Sequence, residues 1–183
     1  MGTRHRESLS EHRLRFITTT CNDWLPLFIN ATCYKILADS LNFVNEKYHV
    51  HTIAYVFMPN HIHLILLFED GEIIPAYMRD FKKFTSGEIR REIEKQGRLD
   101  LLKRIRYKTR VQLYKVWQDR YDDFYLLNEK TLRTKMNYIH HNPVRKGLSE
   151  NVSDYHYSSG RFYFKEEETD VKMVHYTKLI MQV

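Results

Sequence analysis

Residues 55–68 read YVFMPNHIHLILLF and decide the fold, because two apolar runs are separated there by a Pro-Asn pair. Pro59 and Asn60 favour a turn, since proline fixes φ and asparagine tolerates the backbone angles that a tight turn requires. The aliphatic and aromatic residues on either side favour extended strands. The segment therefore predicts a β-hairpin, with one strand over residues 50–58 and the next over residues 61–68.

Two histidines stand at the start of the second strand of this hairpin. Side chains alternate along a strand, so His61 and His63 lie on one face, about 7 Å apart along the backbone. Two imidazoles that project the same way from a rigid sheet are half of a divalent metal site, and their burial without a partner is costly. The spacing alone leaves open that both are ordinary polar residues.

One strand and one helix are predicted before the hairpin. Residues 13–20 contain a β-branched run and favour a first strand. Asn30 is a suitable N-cap for a helix over residues 31–48, where apolar side chains recur every three to four positions. That apolar stripe indicates a core-facing helix.

Three further elements are predicted after the hairpin. The apolar spacing favours a helix over residues 74–95, and a strand-like run follows at residues 113–118. Asn128 is a candidate N-cap for a third helix. That helix is expected to end near Asn142, because Pro143 disfavours helical geometry in the residue before it.

The order of elements predicts an α+β fold, a ferredoxin-like βαββαβ sandwich with an antiparallel sheet and an added C-terminal helix. In this topology the second strand of the hairpin is central, and two helices cover one face of the sheet. His61 and His63 would then face the other side, which only the third helix is left to cover. The side chains expected to face the two covering helices are Ile62, Leu64, Leu66 and Phe68.

The 183 residues fit one domain that can bury its own core. We expect a disordered segment at residues 1–10, the domain at residues 11–160, and a tail of uncertain structure at residues 161–183.

Cys21 and Cys33 form no CxxC pattern, and no signal-like start is seen, which favours a reducing, cytoplasmic location. The longest apolar run, residues 62–68, is far short of the roughly 20 residues of a membrane span, so no membrane role is indicated.

Charge and aromatic content point to a polyanionic partner. The net charge is +6 and 13 residues are tyrosines. A basic, tyrosine-rich surface suits a polymer with phosphates to bind and bases to stack on, which favours nucleic acid.

The third helix brings a possible nucleophile. Tyr138 and Asn142 are four residues apart and share one face of it. A tyrosine oxygen can attack phosphorus when a metal withdraws charge from the phosphoryl oxygens. The Asn142 amide could add an oxygen ligand to the two imidazoles and leave positions open for a phosphate on Mg²⁺ or Mn²⁺. His140 and His141 are alternative ligands, or exposed residues near a helix end that favours positive charge.

Two longer motifs carry a family resemblance. MPNHIHLIL at residues 58–66, followed by YIHHNPVRKGL at residues 138–148, resembles the single-tyrosine HUH transposases of the insertion-sequence type, especially their REP-associated tyrosine transposase branch. VWQDRYDDFY at residues 116–125 and DYHYSSG at residues 154–160 support the match. The resemblance covers roughly residues 12–160.

The resemblance implies a role for each motif residue. His61 and His63 would be the HUH pair, Tyr138 the nucleophile and Asn142 the third ligand of a divalent metal, Mg²⁺ or Mn²⁺. Members of this family cut single-stranded DNA beside an imperfect hairpin, form a 5′-phosphotyrosine link with a free 3′-hydroxyl, and rejoin strands by the reverse attack. Such chemistry needs no ATP, in keeping with the absence of a GxxxxGK[ST] motif from the sequence.

The resemblance also implies a DNA-binding role for basic residues and leaves two matters open. Relatives act as homodimers, with one subunit's tyrosine helix serving the other's histidines, or as monomers. Two other functions stay possible, a non-catalytic single-stranded nucleic-acid-binding module and a metal hydrolase that uses water. The candidate phosphate contacts are Lys82, Lys83, Lys103, Arg104, Arg106, Arg120 and Arg145.

Overall fold

A four-stranded antiparallel sheet forms the centre of the computed structural model, which describes residues 14–107 and 113–180. The strands are β1 (Leu14–Thr20), β2 (His51–Met58), β3 (His61–Leu67) and β4 (Asp122–Tyr125), in the order β2-β3-β1-β4. This order is that of a ferredoxin-like sheet, so the predicted fold class is confirmed. The expected disordered segment, residues 1–10, lies outside the described residues.

Six helices accompany the sheet in the described part of the chain. Two of them have the predicted bounds, and the first is capped as expected, since Asn30 Oδ1 accepts a hydrogen bond from the Cys33 amide at 3.1 Å. None of these helices is long and apolar enough to cross a membrane. The helices are α1 (Ala31–Tyr48), α2 (Ile74–Lys95), α3 (Leu99–Arg104), α4 (Glu129–Arg145), α5 (Gly160–Lys165) and α6 (Thr177–Ile180), with 3-10 turns at Asn22–Trp24 and Gly71–Ile73.

The sheet has an apolar layer on each face. On one face, α1 and α2 pack over a core that includes Ile62, Leu64 and Leu66. On the other, α4 packs over a second core that includes Phe16 and Ile65. The alternation along β3 therefore directs the two histidines toward α4, as predicted from the sequence.

The position of the fourth strand differs from the prediction. Residues 113–118 form no strand, and β1 pairs with β4, where Arg15 lies opposite Tyr125. Val116 and Trp117 are buried in the core that α1 and α2 cover, where the Trp117 indole donates a hydrogen bond to Thr85 Oγ1 at 2.9 Å. The run meets the sheet only at the end of β1, where the Gln118 amide donates to the Thr20 carbonyl at 2.9 Å. Local alternation cannot distinguish a strand from an extended core-packing segment, because long-range packing decides between them.

Helix α4 also runs further than predicted. It continues past Asn142 and through Pro143 to Arg145. Proline in the last turn removes only one helical hydrogen bond, and both Asn142 and Pro143 are buried where α4 packs on β2 and β3. The burial offsets the local cost that the prediction relied on.

Glycine then ends α4. Gly147 has φ +68°, a left-handed conformation that glycine adopts without a steric penalty. Its amide donates to the Val144 carbonyl at 3.0 Å, and the Leu148 amide donates to the Pro143 carbonyl at 2.9 Å. These two bonds form a Schellman motif. The extra turn places Arg145 on the same side of the helix as Tyr138.

The C-terminal segment covers the free edge of β2. The Phe57 amide donates to the Tyr157 carbonyl at 2.9 Å, and the Val174 amide donates to the Thr52 carbonyl at the same distance. The Tyr163 hydroxyl donates to the Ile53 carbonyl at 2.7 Å. Pairing of this kind protects an edge strand from other chains.

Gly160→Ala is expected to destabilise the fold by about 2 to 3 kcal/mol, because a Cβ there would overlap the Val152 carbonyl oxygen and crowd Ser158 Oγ. Gly87→Ala is the matched control. Gly87 lies inside α2, and its added Cβ would meet only the flexible end of Arg91, so the fold should gain about 0.5 to 1 kcal/mol. Urea unfolding of both variants measures the two shifts, and an unchanged midpoint for Gly160→Ala would contradict the close approach.

Candidate active site

The two histidines of β3 lie side by side beneath α4. Their ring centroids are 4.8 Å apart with the ring planes at 74°. His61 is 7% exposed and His63 is 5% exposed, so both imidazoles are almost out of solvent. The pair is therefore held rigidly by the sheet and has little contact with water.

Neighbouring polar side chains hold both rings in place. His61 Nδ1 lies 2.7 Å from Asn60 Oδ1, and His63 Nδ1 lies 2.8 Å from Thr18 Oγ1. The Asn60 amide nitrogen donates to the Trp24 carbonyl at 3.2 Å, which turns its oxygen toward His61. When each Nδ1–H donates to its oxygen partner, each Nε2 carries a free lone pair, the arrangement of metal-binding histidines.

The environment favours neutral imidazoles. Burial, with a smaller effect from Lys146, lowers the pKa of His61 to about 4. Burial, followed by His61 and Lys135, lowers the pKa of His63 to about 3. Both rings are thus neutral at pH 7, the state in which histidine binds a metal.

An unsatisfied atom marks the site. His63 Nε2 is buried and has no hydrogen-bond partner within the described residues. A buried polar atom without a partner is costly, and a divalent cation would satisfy it. No group of three or more His, Cys, Asp or Glu residues suited to a metal occurs in residues 14–107 and 113–180. Asn142, the third ligand expected from the sequence, is buried on α4 one turn beyond Tyr138.

Tyr138 lies beside the histidine pair in the same chain. Its ring centroid is 5.1 Å from that of His63 and 6.1 Å from that of Phe16, with nearly perpendicular ring planes in both cases. The residue is only partly buried. A phenol and a pair of neutral imidazoles are therefore brought together by one subunit.

Two cations flank the phenol, and one of them was not predicted. The Arg145 guanidinium lies 5.0 Å from the Tyr138 ring centroid. The Lys135 ammonium lies 5.7 Å from the same centroid, 4.4 Å from that of Phe16 and 5.7 Å from that of Phe124. The sequence signal for Lys135 is its position three residues before Tyr138, which places both side chains on one face of a helix. Thr18, Asn60 and Trp24 were also missed, because only the folded chain brings them to the histidines.

The alternative histidines of α4 have other surroundings. His140 Nε2 lies 2.9 Å from Ser159 Oγ, and its ring packs against Tyr163 and Phe164. Burial lowers its pKa to about 4. His141 Nδ1 lies 3.0 Å from the Asn137 carbonyl oxygen. His140 therefore contributes to the packing of the C-terminal segment on α4.

The predicted DNA-binding residues do not form one surface. Lys82 donates to the carbonyls of Gln118, Asp119 and Arg120 at 2.6 to 3.4 Å, and burial lowers its pKa to about 8. It thus ties a loop to α2, where Lys82 and Lys83 line a groove of about 720 Å³. That groove is on the α2 face of the sheet, opposite Tyr138. Of the predicted set, Arg145 is beside Tyr138, and the exposed remainder are Lys83, Lys103, Arg104, Arg106 and Arg120.

Comparisons with known proteins point to one family. A family model for IS200-like transposases matches residues 10–142. A REP-associated tyrosine transposase of Haemophilus influenzae is 30% identical over 165 residues, covering 85% of this chain and 84% of that protein. One from Escherichia coli K12 is 27% identical over 129 residues, covering 70% and 66%. In fold, the chain is similar to a REP-associated tyrosine transposase bound to a REP hairpin, with TM-score 0.63, 22% identity, and 95% of this chain and 92% of that chain covered.

Proposed function

This chain belongs to the IS200-like transposase family, and we propose that it cuts and rejoins single-stranded DNA near hairpins through a 5′-phosphotyrosine intermediate. The observation that carries the proposal is the 5.1 Å between the ring centroids of Tyr138 and His63 within one chain. A phosphate bound to a metal on the histidine pair would then lie beside the side chain that carries the nucleophile. The active site would then be complete in one subunit, whether or not the protein forms a homodimer.

His61, His63 and Asn142 would hold the divalent metal, Mg²⁺ or Mn²⁺. When bound, it would polarise the phosphoryl oxygens and offset their charge. The Tyr138 oxygen would form a bond to phosphorus as the bond from phosphorus to the 3′ oxygen breaks. The phenol loses its proton, and the 3′ oxygen gains one and leaves as a hydroxyl. Rejoining runs the same exchange in reverse, so the bond energy is conserved.

We propose hairpin-bearing single-stranded DNA as the partner. The solved relative of the same fold is bound to a REP hairpin, and the net charge of +6 favours a nucleic acid. Arg145 and Lys135, the two cations beside Tyr138, are suited to contact backbone phosphates near the cleaved bond.

The test is incubation of the protein with hairpin-bearing single-stranded DNA and Mn²⁺, followed by a denaturing gel. A protein–DNA band that withstands denaturation, together with a free 3′-hydroxyl on the released strand, supports the proposal. Free 5′-phosphate ends without an adduct would indicate hydrolysis by water. Binding that is indifferent to metal, with no strand cut on any hairpin substrate, would favour the non-catalytic binding module.

Lys135→Met is expected to slow adduct formation at saturating DNA by roughly tenfold to a hundredfold, since it removes a charged contact to the reacting phosphate. Three aromatic rings hold the ammonium, and no described carboxylate forms an ion pair with it. The positive charge of Lys135 is therefore available to attract a phosphate. Single-turnover rates measured against DNA concentration separate the rate at saturation from the affinity.

Two variants control for this change. Lys135→Arg keeps the charge and should recover most of the rate, whereas Lys130→Met, on the exposed first turn of α4, should leave it unchanged. A Lys135→Met protein that binds DNA more weakly but reacts normally at saturation would assign this lysine to general DNA binding.

A further inference from the structure

A loop beside the histidine pair has an unusual backbone. Asp23 and Trp24 have φ angles of 51° and 56°, and such left-handed angles cost about 1 to 3 kcal/mol for a residue other than glycine. The strain is held by the Asn60 amide, which donates to the Trp24 carbonyl, and by the Trp24 amide, which donates to the Cys21 carbonyl at 3.1 Å. Strain held in this way tends to occur at functional sites.

The strained loop presents an indole to solvent rather than to the core. Trp24 is 59% exposed, and its ring centroid is 5.9 Å from that of His61, with the ring planes at 62°. The same Asn60 side chain bonds both His61 and the Trp24 carbonyl. The position of the indole is therefore coupled to that of a proposed metal ligand, although the indole adds little to the stability of the core.

A cavity of about 310 Å³ separates this loop from the end of α4. Its walls are mainly apolar, with one imidazole and one ammonium among them. The charge of Lys146 is close enough to lower the pKa of His61. The residues that matter here are Trp24, Pro26, Met58, His61, Lys146 and Leu148.

We propose that this cavity binds the base of a nucleotide next to the cleaved phosphate, stacked on Trp24, with Lys146 contacting the DNA backbone. The inference rests on the proposed function. His61 belongs both to the histidine pair and to the cavity wall, so a phosphate held by the pair brings its adjoining nucleoside to the opening. An exposed aromatic ring, apolar walls and a single cation match the π-face of a base, the edges of its ring and the charge of its backbone.

Binding can be measured without cleavage in the Tyr138→Phe background, with a fluorescent oligothymidylate and an abasic strand of the same length as probes. Trp24→Ala should weaken the affinity for oligothymidylate about tenfold and leave the affinity for the abasic strand unchanged. Trp24→Phe should keep most of the affinity. Phe43→Ala removes another exposed aromatic ring, on α1, and should change neither affinity.

Cleavage gives a second measurement. With Tyr138 intact, a single abasic position next to the cleaved bond should slow adduct formation in the wild type and have no further effect in Trp24→Ala. The stacking site would be overturned if Trp24→Ala weakened the affinity for oligothymidylate and for the abasic strand equally. It would also be overturned if Trp24→Ala left the affinity for oligothymidylate unchanged. Base-dependent binding through Trp24 without any adduct would instead refute the strand-transfer chemistry alone.

Discussion

Tyr138→Phe abolishes the covalent protein–DNA adduct, because it removes the only atom that can bond to phosphorus in the proposed reaction. The ring, and with it the packing against His63 and Phe16, is retained. The affinity for DNA and the thermal unfolding midpoint should therefore stay close to those of the wild type. After incubation with hairpin-bearing DNA and Mn²⁺, the band of the covalent adduct should be absent from a denaturing gel.

The matched control for this variant is Tyr125→Phe. Tyr125 lies on β4, is 56% exposed and contacts the Arg15 guanidinium through its ring, so removal of its hydroxyl should leave the adduct unchanged. Persistence of the adduct in Tyr138→Phe would exclude this tyrosine as the nucleophile. The remaining 12 tyrosines would then have to be tested in turn.

His63→Ala should reduce the rate of adduct formation at least about a hundredfold, since metal stabilisation of a phosphoryl transition state is worth several kcal/mol. His63 is the more informative of the two histidines because its Nε2 is buried without a partner in the described structure. The substitution removes this ligand atom together with a buried ring that packs against Phe16 and Tyr138, so the unfolding midpoint should fall as well, and the rate is compared at a temperature where both proteins are folded. Titration with Mn²⁺, followed by electron paramagnetic resonance, should show a weakened site without reference to activity.

The control is His51→Ala. His51 is exposed at the start of β2, on the same sheet but at its opposite end from the pair, and its loss should change neither the rate nor the Mn²⁺ affinity. Cleavage at the wild-type rate in His63→Ala would remove the metal site from the proposal. A loss that excess Mn²⁺ restores would instead support weakened coordination.

The parts of the site that could be predicted are those that depend on local periodicity and on motif. His61 and His63 lie on the face of β3 opposite Leu64, because successive side chains of a strand alternate between its two faces. Tyr138 was assigned through the family resemblance, and its role stays a proposal. Lys135 was not predicted, since its position depends on Phe16 and Phe124 from two separate strands.

The sequence by itself determined the hairpin, the bounds of α1 and α2, and the face on which the histidines lie, because side-chain periodicity and capping act over a few residues. Only the tertiary structure decided that Trp117 packs under α2 while its segment meets the sheet only at the end of β1, that α4 passes through Pro143, and that Asn60 joins His61 to Trp24. These outcomes depend on burial against distant segments. That burial can outweigh local preferences of about 1 to 3 kcal/mol, and neighbours in the chain do not reveal it.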